Sequence, residues 1–165
     1  IGRIVAQMCM GLGFHIAAYD PFVPEEKLAE AGYRACRTVE EILRTSDIIS
    51  VHVPYNEQTK DLISKKEFAM MKKSASLIQV SRGGVVDEEA LAEAIRNGQI
   101  RGAAVDVFSE EPPQKDNPLL KLEQVILTPH IGSNTVECMD RIALDVAEDV
   151  HLVLSGKNPK HPIKR

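Results

Sequence analysis

The chain has 165 residues, 44% of them hydrophobic and 27% charged, with a formal net charge of -4. This length fits one domain that can bury a core without disulfides or metal ions. The acidic balance, without a basic stripe, argues against nucleic acid and anionic membranes as partners. No apolar run approaches the roughly 18 residues that a membrane span needs.

The three cysteines indicate the redox environment. Cys9, Cys36 and Cys138 are odd in number and far apart, which fits neither a disulfide framework nor a zinc ligand set. We therefore expect free thiols, no metal site and a cytoplasmic protein.

Secondary structure follows from hydrophobic periodicity and from the capping residues Thr38, Ser64 and Asp87. Glu41, three places after Thr38, suggests a capping box. In chain order the predicted elements are a helix at 1–11, a strand at 14–20, a helix at 24–31, a short strand at 33–36, a helix at 39–44, a strand at 47–53, a helix at 65–71, a strand at 75–81, a helix at 88–96, strands at 102–108 and 125–128, and a long helix at 135–154.

Strand and helix alternate through most of the chain, which predicts a parallel sheet covered on both faces. The predicted fold class is therefore α/β, doubly wound. We expect one domain over residues 1–154 and a tail at 155–165 that crosses towards another domain. Because the chain enters a helical pattern at Ile1 without a preceding cap or initiator Met, we also expect it to be a fragment.

Gly2 and Asp20 give the first functional signal. Gly2 opens a helix, and Asp20 ends the next strand eighteen positions later. In a dinucleotide-binding fold the last loop glycine lets helix and strand pack closely, and an acid about 20 residues on accepts hydrogen bonds from the ribose hydroxyls. A carboxylate there also repels a 2′-phosphate, so the sequence predicts a preference for NAD over NADP. Taken alone, the pattern leaves a surface aspartate as an equal alternative.

Polar residues that follow three predicted strands give a stronger signal. Arg82 follows one strand, Glu111 lies after the next, and His130 follows the last. In a parallel sheet these strand ends share the edge where ligands bind. An arginine can hold a carboxylate, and an acid near a histidine raises the pKa of the histidine. Singly, each residue has an ordinary alternative: a solvated turn, an acidic surface loop and a loop-end histidine.

Other candidates keep structural or solvated interpretations. The remaining histidines have no partner pattern, and Ser81 has neither an adjacent base nor a nucleophile-elbow context, which disfavours a serine hydrolase. The histidines in this group are His15, His52, His151 and His161.

The order of the segments resembles the D-isomer-specific 2-hydroxyacid dehydrogenase family, across nearly the whole chain. Four segments carry the resemblance: Ser50-Val51-His52-Val53-Pro54, Val80-Ser81-Arg82-Gly83-Gly84-Val85-Val86-Asp87, Gly102-Ala103-Ala104-Val105-Asp106-Val107-Phe108 with Glu111-Pro112, and Thr128-Pro129-His130-Ile131-Gly132-Ser133. It implies a Rossmann-like sheet without its first strand and most of its Gly-rich loop.

The resemblance also implies roles. Arg82 binds the substrate carboxylate and carbonyl oxygen, His130 exchanges a proton with the reacting oxygen, and Glu111 pairs with His130. The cofactor is NAD, and a 2-keto or 2-hydroxy acid is the substrate. The residues implied to bind NAD are Ile1 and Gly2 at the pyrophosphate, Asp20 at the ribose, Asp106 at the carboxamide, and Val53, Pro54, Val80, Ser81, Arg82, His130, Gly132 and Ser133 along the cleft.

Two features depart from the family. Gln79 stands where many members have Asn, and we expect a tolerated exchange in strand packing. The substrate domain that precedes the Gly-rich loop in the family is missing, so we expect this chain alone to be nearly inactive and the full-length protein to be a homodimer. The family also includes NAD(H)-responsive corepressors, which are the alternative function. An L-type malate or lactate dehydrogenase lacks the expected motif order.

Overall fold

The computed structural model describes residues 1–162. The chain forms two compact units, the first at Ile1–Pro129 and the second beginning at His130. The first unit contains α1 (Gly2–Gly11), β1 (Ala17–Ala18), α2 (Glu25–Glu30), β2 (Arg34–Ala35), α3 (Val39–Thr45), β3 (Ile48–Val51), α4 (Lys65–Phe68), β4 (Ser76–Gln79), α5 (Glu88–Arg96), β5 (Gly102–Val105), a 3₁₀ helix (Pro118–Lys121) and β6 (Val125–Leu127), and the second contains α6 (Val136–Leu154).

All the described strands pair in parallel, which confirms the predicted α/β class. Strands β3, β4, β5 and β6 form a four-stranded sheet in sequence order, with Gln79 opposite both Val51 and Val105. Strands β1 and β2 form a separate two-stranded sheet. The predicted strand at 14–20 was therefore too long, because its backbone pairs on one side only and over two residues.

The core of the first unit joins the four-stranded sheet to the helices that follow its strands. Five residues of α5 are buried, as its amphipathic pattern predicted, and they cluster with Leu77, Val105 and Phe68. Fully burying side chains of this size contributes about 1.5–3 kcal/mol each. The core thus fixes the sheet and, with it, the positions of the loops at the carboxyl ends of the strands.

Three of the predicted helix caps are confirmed. The side chains of Thr38 and Asp87 accept hydrogen bonds from backbone amides in the first turns of α3 and α5, and Ser64 forms a capping box with Glu67 at the start of α4. Thr135 caps α6 in the same way, which was not predicted. The predicted capping box at Thr38 was wrong in one half, because the Glu41 carboxylate accepts from the amide of Arg37 at 3.0 Å instead.

Several element ends also differ from the prediction. Helix α4 ends at Phe68, three residues before its predicted end, and the strands of the large sheet stop one to three residues early on their carboxyl side. The backbone there turns into loops, where amides such as that of Ser81 bond side chains rather than a neighbouring strand. The 3₁₀ helix at Pro118–Lys121 was not predicted.

Helices α1 and α6 contain no buried residue and carry several exposed large apolar side chains. Within the part of the chain that the structure describes, no helix combines the length and apolar character needed to cross a membrane. The predicted tail lies partly outside the described residues, which stop at Pro162.

Candidate active site

The carboxyl ends of β4, β5 and β6 lie along one edge of the parallel sheet. Backbone hydrogen bonds continue one step past the strands, from the amide of Asp106 to the carbonyl of Gln79 (2.9 Å) and from the amide of Thr128 to the carbonyl of Val105 (3.0 Å). The loops that begin at Val80, Asp106 and Thr128 are therefore held in register with one another. This edge is where ligands bind in open α/β sheets.

Gln79 organises the loop after β4. Its side chain is buried, its amide nitrogen donates to the carbonyl of Arg82 (2.9 Å), and its amide oxygen accepts from the hydroxyl of Ser81 (2.9 Å). The Arg82 guanidinium donates to the carbonyl of Ser81 at 2.7 Å. Gln79 thus acts on the loop as well as packing in the strand. The sequence prediction missed this role.

Two glycines allow the loops at this edge to touch. A Cβ atom at Gly83 would overlap the backbone carbonyl of Phe108, in the loop after β5. Gly84 has a φ of +76°, and a Cβ there would lie 2.8 Å from the ring of Tyr55, in the loop after β3. Gly83 is needed because two backbones approach this closely, and Gly84 because its φ lies in the left-handed region that favours glycine. The loops after β3, β4 and β5 therefore form one packed layer.

Glu111 lies in the acidic loop that follows β5. Its carboxylate accepts a hydrogen bond from the amide of Phe108 at 3.1 Å, which folds the side chain back towards the strand end. The residue is exposed, and the peptide bond that joins it to Pro112 is cis. Because Phe108 also contacts Gly83, the loops that carry Arg82 and Glu111 meet directly.

Asp106 is buried at the end of β5, and its carboxylate accepts a hydrogen bond from the hydroxyl of Thr128 at 2.5 Å. Thr128 is the first residue after β6. A buried carboxylate needs such partners to offset its lost hydration. The pair holds Asp106 between the ends of two neighbouring strands.

The start of α1 and the end of β1 form the other part of the candidate site. The ring of His52 packs against Gly2, where an added Cβ would lie 3.2–3.3 Å from three of its carbons. His52 also shares a 2.8 Å hydrogen bond with the hydroxyl of Ser50, and desolvation lowers the pKa of the imidazole. Asp20 is exposed after β1, and its carboxylate accepts from the amide of Phe22 at 2.9 Å.

The remaining residues implied to line the cleft differ in exposure. Val53 is half-buried, Pro54 and Val80 are exposed, and Ser81 is buried with its hydroxyl bonded to Gln79. Ile1 is exposed at the start of α1.

In the second unit, His130, Gly132 and Ser133 are exposed. The backbone of His130 is left-handed, with a φ of +53°.

Among the described residues, no group of three or more His, Cys, Asp or Glu side chains is arranged to hold a metal ion. The three cysteines are free, and burial, as the largest effect, raises the pKa of the Cys36 thiol.

The parallel sheet, the Gly2–His52 contact and the polar loops at one sheet edge define a dinucleotide-binding domain of the Rossmann type. A sequence model of the D-isomer specific 2-hydroxyacid dehydrogenase, NAD binding domain, matches residues 1–132. The chain belongs to this family.

Its relatives act on different acids. The chain is 42% identical over 157 residues to the D-3-phosphoglycerate dehydrogenase of Methanocaldococcus jannaschii, covering 95% of this chain and 30% of the relative. The D-lactate dehydrogenase of Lactobacillus jensenii, solved with NAD+, superposes with a TM-score of 0.89 at 29% identity, covering 100% of this chain and 53% of that one. A glyoxylate reductase from Paecilomyes thermophila superposes with a TM-score of 0.82 at 30% identity, covering 92% and 45%. The chain therefore spans less than a third of the curated relative and about half of the solved ones.

Proposed function

We propose that the full-length protein is an oxidoreductase that interconverts a D-2-hydroxyacid and its 2-keto acid with NAD(H). One observation carries the proposal. The loops of Arg82 and Glu111 pack directly on each other through Gly83 and Phe108, within the region that the family model matches.

Arg82 supplies the substrate-binding cation. Its guanidinium can form paired hydrogen bonds with a carboxylate, which fixes the acid in one orientation. During reduction the carbonyl oxygen gains negative charge, and a nearby cation stabilises that charge. We assign the substrate carboxylate and carbonyl oxygen to Arg82 on this chemistry.

His130 is proposed as the general acid in reduction and the general base in oxidation, with Glu111 as its partner. An imidazole titrates near neutral pH, so it can both give and accept the proton of the reacting oxygen. A paired carboxylate favours the protonated ring. General acid–base help of this kind contributes about 10²–10⁴-fold in rate.

The fit to NAD rests on the described geometry. At Gly2, an added Cβ would lie 3.2–3.3 Å from carbons of His52, so this position at the start of α1 has little room for a side chain. The backbone amides of this helix start would hold the pyrophosphate. Asp20 would hold the ribose hydroxyls, and Asp106, kept in place by Thr128, would accept from the carboxamide. Bound NAD(H) supplies the hydride chemistry. The proposed cleft also takes in Ile1, Val53, Pro54, Val80, Ser81, Gly132 and Ser133.

The substrate class is proposed as small 2-keto acids. The relatives named above act on phosphoglycerate, lactate and glyoxylate, which share a carboxylate beside the reacting carbon and differ in the group beyond it. Arg82 would recognise the shared part.

The test is an assay of the full-length protein with NADH and a panel of 2-keto acids: glyoxylate, hydroxypyruvate, pyruvate and bulkier analogues. We expect turnover of at least one acid, and a loss of about 10²–10⁴-fold in His130→Gln with little change in NADH affinity. Exposed residues of the same type supply matched controls, namely His15→Gln for His130, Glu110→Gln for Glu111 and Arg101→Gln for Arg82. Turnover with none of the acids, or equal loss in the controls, would contradict the proposal.

The names of the three relatives favour the enzyme over the corepressor alternative, since all are dehydrogenases or reductases. We further propose that the full-length protein is a cytoplasmic homodimer, which light scattering on the purified protein and fractionation of the source cells would test.

A further inference from the structure

We propose that Glu88 is a positioning residue that holds the Glu111 loop in place. The inference rests on the proposed function, because it assigns Glu88 an effect on the reaction through Glu111. Glu88 belongs to none of the residues that the family resemblance implies at the site.

Each oxygen of the Glu88 carboxylate binds a different end of the acidic loop. Oε1 accepts from the amide of Ser109 at 2.5 Å, and Oε2 accepts from the side-chain amide of Asn117 at 2.6 Å. Glu111 lies between these two points. We call this arrangement of Glu88, Ser109 and Asn117 the Glu88 clamp.

Both ends of the clamped loop are tied to the buried core. At the first end, Phe108 is buried and packs on Gly83. At the other end, Asn117 accepts from the amide of Leu119, which is fully buried. Between these anchors the loop is mostly exposed. Glu88 therefore supplies the hydrogen bonds that close the exposed part of the loop onto α5.

The geometry demands two acceptors at position 88. Two N–H groups point at the two oxygens, so the amide of a glutamine would satisfy one and present its own hydrogens to the other. The helix start also favours a negative charge there. Glu89, the next residue, occupies the same first turn of α5 but is exposed. It is the matched control, since it shares the helix end without the clamp.

The first measurement needs no activity. Amide hydrogen exchange of the full-length protein should show faster exchange at Ser109 and across residues 109–117 in Glu88→Gln, with no change there in Glu89→Gln. Asn117→Asp gives a second variant, because it keeps an oxygen for the amide of Leu119 but places a carboxylate against Glu88. Unchanged exchange in both Glu88→Gln and Asn117→Asp would overturn the clamp whether or not the protein is active.

The second measurement separates positioning from general destabilisation. In Glu88→Gln we expect kcat for keto-acid reduction to fall about 10–10²-fold, as for a catalytic group displaced by about 1 Å, with NADH affinity unchanged. The pH profile of kcat should also differ from that of the parent, because a displaced Glu111 would no longer support the proton transfer. Merely structural damage would not move this pH profile.

A double variant connects the two residues. If Glu88 acts through Glu111, then Glu88→Gln combined with Glu111→Gln should be no slower than Glu111→Gln alone. Additive losses would overturn the inference while leaving the proposed function intact. If Glu111→Gln alone turns over like the parent, the role proposed for Glu111 fails, and hydrogen exchange still decides whether the clamp exists.

Discussion

The side-chain amide of Gln79 donates a 2.9 Å hydrogen bond to the backbone carbonyl of Arg82, three residues further along the chain. The oxygen of the same amide accepts from the hydroxyl and the amide of Ser81. A buried side chain at the last position of β4 therefore fixes the backbone position of Arg82, the proposed substrate-binding arginine. Removing the Gln79 side chain should therefore disturb both the strand end and the Arg82 loop.

Gln79→Ala should lower the free energy of unfolding by about 1–3 kcal/mol, because the buried Ser81 hydroxyl and the Arg82 carbonyl lose their partner. It should also raise the KM for the keto acid, since Arg82 loses its support. Urea unfolding and steady-state kinetics measure the two effects. Gln79→Asn keeps the amide on a shorter side chain and should cost less. Gln99→Ala, at an exposed glutamine, is the control and should change neither quantity; an equal effect at both positions would refute this role.

Gly83 should tolerate no side chain. A Cβ at this position would overlap the Phe108 carbonyl, so Gly83→Ala must push two loop backbones apart. We expect a loss of about 1–3 kcal/mol in the free energy of unfolding, together with lower kcat/KM because the Arg82 and Glu111 loops separate. Thermal unfolding measures the change in stability, and steady-state kinetics measure kcat/KM.

Gly11→Ala is the matched control for Gly83→Ala. Gly11 ends α1, and nothing lies within 4 Å of the Cβ that it would gain. Alanine is the better helix former, so this change should be neutral or stabilise by up to about 1 kcal/mol. If Gly83→Ala unfolds at the same temperature as the parent, the close packing of the two loops is wrong.

Features set by neighbouring residues could be predicted from the sequence. The order of helices and strands follows hydrophobic periodicity, and the caps at Thr38 and Asp87 act within three residues of their partners. The 3₁₀ helix at Pro118 had an available signal, because Asn117 followed by proline is a common helix start. That signal was overlooked.

Features that depend on distant partners could not be predicted. Glu88 binds Ser109 and Asn117, which are 21 and 29 residues away, and a sequence shows Glu88 only as an acid in a helical first turn. Around Glu88, the fold brings together groups whose spacing carries no local pattern. Gln79 is a different case, because its partners are only two and three residues away. Its bonds form because β4 ends at Gln79 and the chain turns at Ser81 and Arg82, whereas the predicted strand ran on to residue 81.

Asp20 should determine the choice between NADH and NADPH. Its carboxylate accepts from the amide of Phe22 and lies at the exposed end of β1, where a ribose would approach. Asp20→Ala should weaken NADH binding about tenfold, the value of one lost charge-assisted hydrogen bond, and narrow the preference over NADPH. Fluorescence titration with each nucleotide measures this.

Asp20→Asn refines the test of cofactor choice. The asparagine oxygen can still accept from Phe22, so the local turn stays, but the charge that repels a 2′-phosphate is gone. NADPH binding should therefore improve in Asp20→Asn relative to the parent. Asp116→Asn, at an exposed aspartate in another loop, should leave both affinities unchanged. Parent-like affinities in both Asp20 variants would remove Asp20 from the cofactor site.

His52 should make stability depend on pH. Desolvation lowers the pKa of its imidazole below the usual 6.5, so the unfolded chain takes up the proton more readily than the folded one. The contribution of neutral His52 to the free energy of unfolding should therefore be complete above pH 6.5 and be lost as the pH falls through the lowered pKa. Urea unfolding at pH values from about 7.5 to 5.5 measures the slope. His52→Gln should reduce this slope, and an unchanged slope would contradict the assignment.

Asp149 should hold the segment that follows α6. Its carboxylate accepts from the amide of Lys160 at 2.7 Å and from the amide of His161 at 3.2 Å. Desolvation raises the pKa of Asp149, but these hydrogen bonds and that of the His161 ring outweigh it and bring the pKa below the usual 3.8. The stabilisation from these hydrogen bonds to Asp149 should therefore be complete above pH 3.8 and weaken as the pH falls through the lowered pKa.

Hydrogen exchange at neutral pH tests the hydrogen bonds from Lys160 and His161 to Asp149. Asp149→Ala removes both acceptors, so the amides of Lys160 and His161 should exchange faster by about tenfold or more, as expected for a lost hydrogen bond to a charged group. Asp140→Asn, at an exposed aspartate earlier in α6, should leave both amides as they are in the parent. Because two consecutive amides meet one carboxylate, they should respond together. Faster exchange at only one of them would mean that the other is protected by something else.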